Sequence, residues 1–137
     1  MKGDQIQYRD GYKYQLAKTY RIYVGIKCNP CKTDYITLTA DGWMIVKKGY
    51  AWDGASGPTL DTNDTMRGSL VHDALYQLMR LGLLPELCRS KADQLLYDIC
   101  VEDGMCEFRA NYWKEAVKDF AASAAKAGTE RPILIAP

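Results

Sequence analysis

The hydrophobic pattern changes its period once along this chain, and that change limits the folds open to it. From Thr19 to Ile26 the apolar residues alternate, with Tyr20, Ile22, Val24 and Ile26 on one side and Arg21 and Tyr23 on the other. Successive side chains of a strand point to opposite faces, so this is a strand with one buried face. Tyr35–Thr39 and Trp43–Lys47 read as two more strands, and Asp41-Gly42 between them is a hairpin signal. Residues 1–15 add weaker strand character through Tyr8, Tyr12 and Tyr14, and Cys28–Lys32 reads as a turn. After Pro58 the spacing becomes that of helices. Asp61, Thr62, Asn63 and Asp64 offer caps for a helix reaching about Leu81, where Gly82 stops it. A second helix is expected from Ser90 to Gly104, opened by Ser90-Lys91-Ala92-Asp93 as a capping box with Asp in the fourth place. A third spans about Glu107 to Lys126, with Phe108, Tyr112, Ala116 or Val117, and Phe120 as its apolar stripe. The expected class is α+β in a single domain: strands over 1–50, loop and helices over 51–128, and a tail over 129–137 that docks or meets a partner.

Composition excludes several functions. With 137 residues, 47% of them hydrophobic, the chain can bury a core without staples. A net charge of +1 supplies no general field for nucleic acid. No apolar run is long enough for a membrane span, and the N-terminus lacks the apolar centre of a signal peptide. The expected compartment is therefore a cytoplasm. Five cysteines, an odd number, argue against a closed disulfide framework. Cys28-Asn-Pro-Cys31 has no second CxxC and no nearby histidine, so it reads as a turn carrying two thiols rather than a zinc or redox site. Cys100 reads as a small core residue inside a helix.

The chemistry concentrates between Tyr50 and Tyr76. This stretch holds the only histidine, His72, followed by Asp73 and, one helical turn on, by Tyr76. Upstream lies the loop Asp53-Gly54-Ala55-Ser56-Gly57-Pro58. One histidine cannot build an HExxH zinc site or a multi-histidine phosphohydrolase centre. It can act as a general base on water or on a serine if a carboxylate fixes its tautomer. Asp73 is a neighbour in sequence but sits about 100° round the helix from His72. Asp93, on the next and antiparallel helix, is the better orienting partner, and Tyr76 can donate to the same carboxylate. Asp73 is then left for a hard cation, with Asp53 and the backbone of Gly54; calcium takes carboxylate and carbonyl oxygens of this kind.

Two resemblances rest on these residues. The run GYAWDGASGPT, SLVHDALYQLMRLG, CRSKADQLLYDICVEDG, NYWKEAVKDF resembles a small domain family of tailed phages and prophages, which implies a host cytoplasm or a virion as its setting. The stretch from about Trp52 to Asp98 resembles the core of secreted phospholipases of the A-two type, on Asp53, Gly54, Ser56, Pro58, His72, Asp73, Tyr76 and Asp93. That second resemblance implies an ester or lipid substrate, a water activated by His72, Asp93 orienting His72, and Tyr76 bracing Asp93. It also implies calcium held by Asp53, Gly54 and Asp73. The cysteines of that family beside the loop and before the histidine are missing, since Ala55 follows Gly54 and residues 68–71 contain no Cys.

Two other readings remain open. Ser56 can serve as nucleophile with His72 and Asp93, although the loop fails G-x-S-x-G at its last position. Alternatively the chain is a non-catalytic phage structural or accessory protein, bound to other phage structural proteins, with His72, Asp93 and Tyr76 as a buried polar network. Exposed aromatics at Trp43, Trp52 or Trp113 would suit a binding surface in either case.

Overall fold

The computed structural model describes residues 6–8, 14–27, 29–54, 62–120 and 134–136. It is an α+β fold, with antiparallel strands preceding three helices. The main sheet has four strands in the order β3-β6-β5-β4. They are β3 (Tyr20–Tyr23), β4 (Cys31–Lys32), β5 (Ile36–Leu38) and β6 (Trp43–Val46). Tyr20 pairs with Val46 and Tyr23 with Trp43, while Ile36 also faces Val46. This register puts Ile36, Leu38, Met44 and Val46 on the buried face and leaves Arg21, Tyr23 and Trp43 on the other. The β3 ladder is shorter than the alternation predicts. The N–H groups of Val24 and Gly25 both donate to Gly42 O, at 2.9 and 3.1 Å, and that shared acceptor ends the pairing. Val24 and Ile26 are nonetheless buried.

Two small strand pairs form separate two-stranded sheets. β2 (Tyr14–Gln15) pairs with β7 (Ala51–Trp52), with Tyr14 opposite Trp52. β1 (Ile6–Tyr8) pairs antiparallel with β8 (Leu134–Ala136), so part of the expected tail is a strand laid on the N-terminal segment. The turn expected over 28–32 ends before Cys31, which already pairs with Leu38, and Cys28 lies outside the described residues.

Helix α1 (Asn63–Arg80) begins at Thr62, whose N–H donates to Thr65 Oγ1 at 2.9 Å. It ends where Gly82 turns to φ +74°, a value that costs glycine nothing, and the Leu83 N–H closes back on Leu78 O at 2.9 Å. From Gly68 to Met79 every residue of α1 is buried except Asp73 and Gln77. The helix is therefore sandwiched, and Asp73 and Gln77, four apart, mark the one stripe through which solvent reaches this stretch. A single 3-10 turn (Glu86–Cys88) leads into α2 (Arg89–Glu102), and α3 (Glu107–Phe120) follows. One hydrophobic cluster joins sheet residues such as Ile36 and Met44 to Leu75 and Leu78 of α1 and Leu95 and Ile99 of α2. Arg67 ties three elements: it makes a two-toothed bond to Asp103 beyond α2 at 3.0 and 2.9 Å and donates to Tyr20 Oη of β3 at 3.1 Å.

Two expectations about the helices fail. Asp93 is not part of a cap: α2 starts a residue earlier, its N-cap is Cys88, and no side chain caps it. The carboxylate that would have closed the capping box is used elsewhere. The stripe of α3 is also rotated in part, although Val117 is buried as expected. Phe108 is 84% exposed and Tyr112 58%, whereas Ala110, Trp113 and Val117 are buried. Trp113, 1% exposed, takes the buried place expected of the Phe108 and Tyr112 rings, and an indole has more apolar area to bury than either of those two. Trp113 and Trp52 are thus core residues, and of the three tryptophans only Trp43 is exposed. No helix among the described residues is long and apolar enough to cross a membrane.

Candidate functional site

The site is assembled by the antiparallel packing of α1 on α2. Gly68 permits it: a Cβ there would lie 2.8 Å from Cys100 Sγ and 3.2 Å from Leu96 Cδ1. One turn further along α1 the facing side chains become polar. His72 Nε2 lies 2.8 Å from Asp93 Oδ1, and Tyr76 Oη donates to the same oxygen at 2.7 Å. A carboxylate only accepts, so the Nε2 atom carries the proton, and in a neutral ring Nδ1 holds the lone pair. The Tyr76 ring stacks on the imidazole with centroids 4.2 Å apart. His72 and Asp93 are buried, at 4% and 3% exposure. Among the described residues no buried side-chain nitrogen or oxygen is left without a partner.

The other ring nitrogen faces the solvent stripe. Nδ1 lies 3.9 Å from Asp73 Oδ1, beyond hydrogen-bond range and within reach of a bridging water. The imidazole is thus flanked by two carboxylates. Burial alone would lower its pKa, but Asp73 and Asp93 more than offset that, and the net shift is upward from the ordinary 6.5. Asp73 is also raised, chiefly by burial, against the pull of His72 and Arg80, while the charge of Asp53 pushes it further up. Tyr76 is held well above its usual range by burial and by its bond to Asp93.

The residue before the loop is fastened to the first half of α1. Trp52, buried, donates its indole N–H to Ser69 Oγ at 3.1 Å, and Asp53 follows directly in sequence. Gly54 is buried with φ +83°, a backbone state that favours glycine. Ser56 and Pro58 lie outside the described residues. Among the described residues no three His, Cys, Asp or Glu side chains come together as a ligand set. The donor chemistry still fits calcium. Asp53 and Asp73 offer carboxylate oxygens, and the backbone of Gly54 a carbonyl, which are donors of the kind calcium takes; Arg80 already acts on Asp73 as a positive charge.

The structure therefore brings together His72, Asp93 and Tyr76 through hydrogen bonds. The sequence reading missed Gly68 and Ser69 and took Trp52, here buried, for an exposed aromatic. A glycine inside a strong helical pattern and an indole N–H that needs an acceptor were the available signals for Gly68 and Trp52. No family model matches the chain, and no match is found among curated proteins or solved structures.

Proposed function

We propose that this chain is a calcium-assisted ester hydrolase, of phage or prophage origin, that activates water with a His72–Asp93 dyad. The observation that carries the reading is the division of labour on the imidazole. Nε2 is bonded to a buried, tyrosine-braced carboxylate, while Nδ1 is directed to the solvent-reaching Asp73. A general base needs its proton-accepting atom free and its other nitrogen fixed. In this reading Nδ1 takes the proton of an attacking water, Asp93 holds the ring and balances the imidazolium, and Tyr76 holds Asp93. Asp53, Gly54 and Asp73 would hold calcium, which when bound supplies a positive charge to stabilise an ester oxyanion. The substrate class, an ester such as a phospholipid, rests on the resemblance and on this chemistry together.

The small exposure of His72 favours a second reading, in which the triad is a non-catalytic polar network of a phage structural protein. Assays on short-chain and phospholipid esters, with and without chelator, separate the two. On the hydrolase reading His72→Ala loses about 10²–10⁴ in rate with folding retained. Asp73→Asn weakens metal dependence and is partly rescued by excess calcium, and Ser56→Ala is nearly silent. A Ser56→Ala enzyme that is dead, with chelator ineffective, would transfer the chemistry to the serine. Wild-type inactivity on every ester, with no calcium-dependent rise in melting temperature, would sink the hydrolase.

A further inference from the structure

We propose that the outer face of the four-stranded sheet binds single-stranded nucleic acid, its aromatic rings stacking on bases and its cations holding phosphates. This face is remote from the His72 site. Ile36, Leu38, Met44 and Val46 turn the opposite face of the same sheet toward α1 and α2.

The register fixes which side chains stand on the outer face. Arg21 pairs with Ile45, Ile45 with Thr37, and Thr37 with Lys32, which makes one row across all four strands. Neighbouring strands lie about 4.8 Å apart, so the two cations close the row about 14 Å from each other. Two residues back along β6, and therefore on the same face, Trp43 pairs with Tyr23. Two residues on, the Lys47 N–H bonds to Tyr35 O at 2.8 Å and continues the ladder, so Lys47 joins the face as a third cation. Arg21, Tyr23, Lys32, Trp43 and Lys47 are all exposed. Among the described residues no carboxylate stands on this face, since Asp34 and Asp41 lie in the connections between its strands.

The rings are already arranged. Tyr23 meets the Trp43 indole edge-on with centroids 5.6 Å apart, and Arg21 Cζ lies 5.6 Å from the same indole. Aromatic rings and guanidinium planes both stack on unpaired bases. At the other end of the row a shallow hollow of about 280 Å³ opens beside Lys32, Thr37 and Thr39, with room for a base turned out of the strand. The charge of the whole chain conceals this face. Between Tyr14 and Trp52 six lysines and arginines stand against two aspartates, a local +4 that leaves −3 for the rest of a chain whose total is +1. All six cations are exposed.

Other anionic partners use less of this face. An acidic peptide takes the charges and leaves the rings unused. A duplex keeps its bases stacked inside. A lipid surface needs projecting aliphatic side chains, and on this face the one aliphatic residue, Ile45, is half-buried between its neighbours. Rings set among cations suit unpaired bases and phosphates together.

The test is fluorescence anisotropy with a labelled oligothymidylate of about twelve nucleotides. It is repeated with oligouridylate, a duplex of the same length, polyglutamate and anionic lipid vesicles. One or both single strands should bind more tightly than the other three, and the tighter one names the strand. Binding should quench tryptophan fluorescence, which reads Trp43 because the other two tryptophans are buried. Trp43→Ala should weaken binding about 5–150-fold, the loss of one base–ring stack. Lys47→Gln should keep the quench and reduce the slope of log K against log salt by about 0.7, one phosphate contact. The His72 ring signals in NMR should stay at their wild-type positions in both variants. If Trp43→Ala does not fold, Trp43→Phe, which keeps a ring and should bind within a few fold of wild type, and Lys47→Gln decide. A wild type that binds neither single strand overturns the proposal. So does equal or tighter binding of the duplex, polyglutamate or vesicles, a Trp43→Ala that binds as wild type does, or a salt slope unchanged in Lys47→Gln.

Discussion

Helix α2 is packed on two sides, and the two sides are built from different material. Toward α3 the seam is apolar: Leu96, Cys100, Met105, Ala110, Trp113 and Val117 form one buried cluster. Toward α1 the seam begins in the same way, with Gly68 set against Leu96 and Cys100, and then turns polar at His72, Asp93 and Tyr76. The first seam is accounted for by removing apolar area from water, at about 25 cal/mol per Å². The second is not. Burying a charged pair gains little over well-packed apolar residues of the same size, because desolvation consumes most of the attraction. Stability alone would have favoured a second apolar seam. The α1–α2 seam therefore holds a polar network that packing alone does not call for.

Single deletions in the two seams should look alike, and compound replacements should not. Trp113→Ala opens a cavity in the apolar seam and should destabilise by about 3–5 kcal/mol in urea unfolding. Asp93→Ala should lose a similar amount, about 3–5 kcal/mol, by leaving His72 and Tyr76 buried without their acceptor. Replacing His72, Asp93 and Tyr76 together by apolar residues of matching size should restore most of that stability while abolishing any hydrolysis. A triple variant as unstable as Asp93→Ala would break the comparison, since the polar seam would then be the better packed one.

Gly68→Ala gives a smaller effect that lies between the seams. The added methyl group meets Cys100 Sγ at 2.8 Å, and both atoms sit in a full interior. The helices must part by a few tenths of an ångström or more, at about 1–3 kcal/mol. Because the same contact sets the spacing one turn away, the His72 ring signals should shift as well. Lost stability with unmoved His72 signals would show that the dyad is seated independently of Gly68.

The fold was legible where one period dominated. Alternation at 20–26 and the hairpin signal Asp41-Gly42 located the sheet, and the 3.6-residue period with Gly82 and Gly104 as stops placed α1 and α2 within a few residues. It was misread where two stripes competed. On α3, Phe108 and Tyr112 were as plausible as Trp113 until the rotation of the helix against α2 was known. The dyad was legible because a short connector forces α1 and α2 antiparallel, which brings position 72 opposite position 93. Asp93 had two readings in the sequence, a cap residue and an orienting carboxylate, and only its bonds to His72 and Tyr76 decide between them. Ser69 carried no signal at all, since a serine three residues before a histidine is ordinary; it acquires meaning from an indole 17 positions upstream.

The smallest expected effect is also the one that joins stability to activity. The folded-state pKa of His72 is raised above 6.5 because two carboxylates outweigh burial. A histidine raised in this way stabilises the fold fully below its unfolded pKa, about 6.5, and that contribution is lost as pH climbs through the folded value. The raised carboxyl of Asp73 acts in the same sense, since its protonated form is favoured by folding and its ionisation weakens the fold. The α1–α2 seam should therefore weaken from near-neutral to alkaline pH. In the apolar seam Cys100, whose thiol burial pushes up to about 12 from 9.0, begins to act only in more alkaline solution. The difference in unfolding free energy between wild type and His72→Gln, followed from about pH 5 to 9, isolates the histidine. Catalysis should run the other way. A base works only when neutral, so the rate should rise with pH through the same folded pKa at which stability falls. Because the chain has a single histidine, its NMR titration supplies that pKa without assignment. An imidazole titrating at or below 6.5 would mean that burial dominates the carboxylates. It would leave His72 neutral near pH 7, free to act as a base without any stability cost, and would remove the opposition between the two curves.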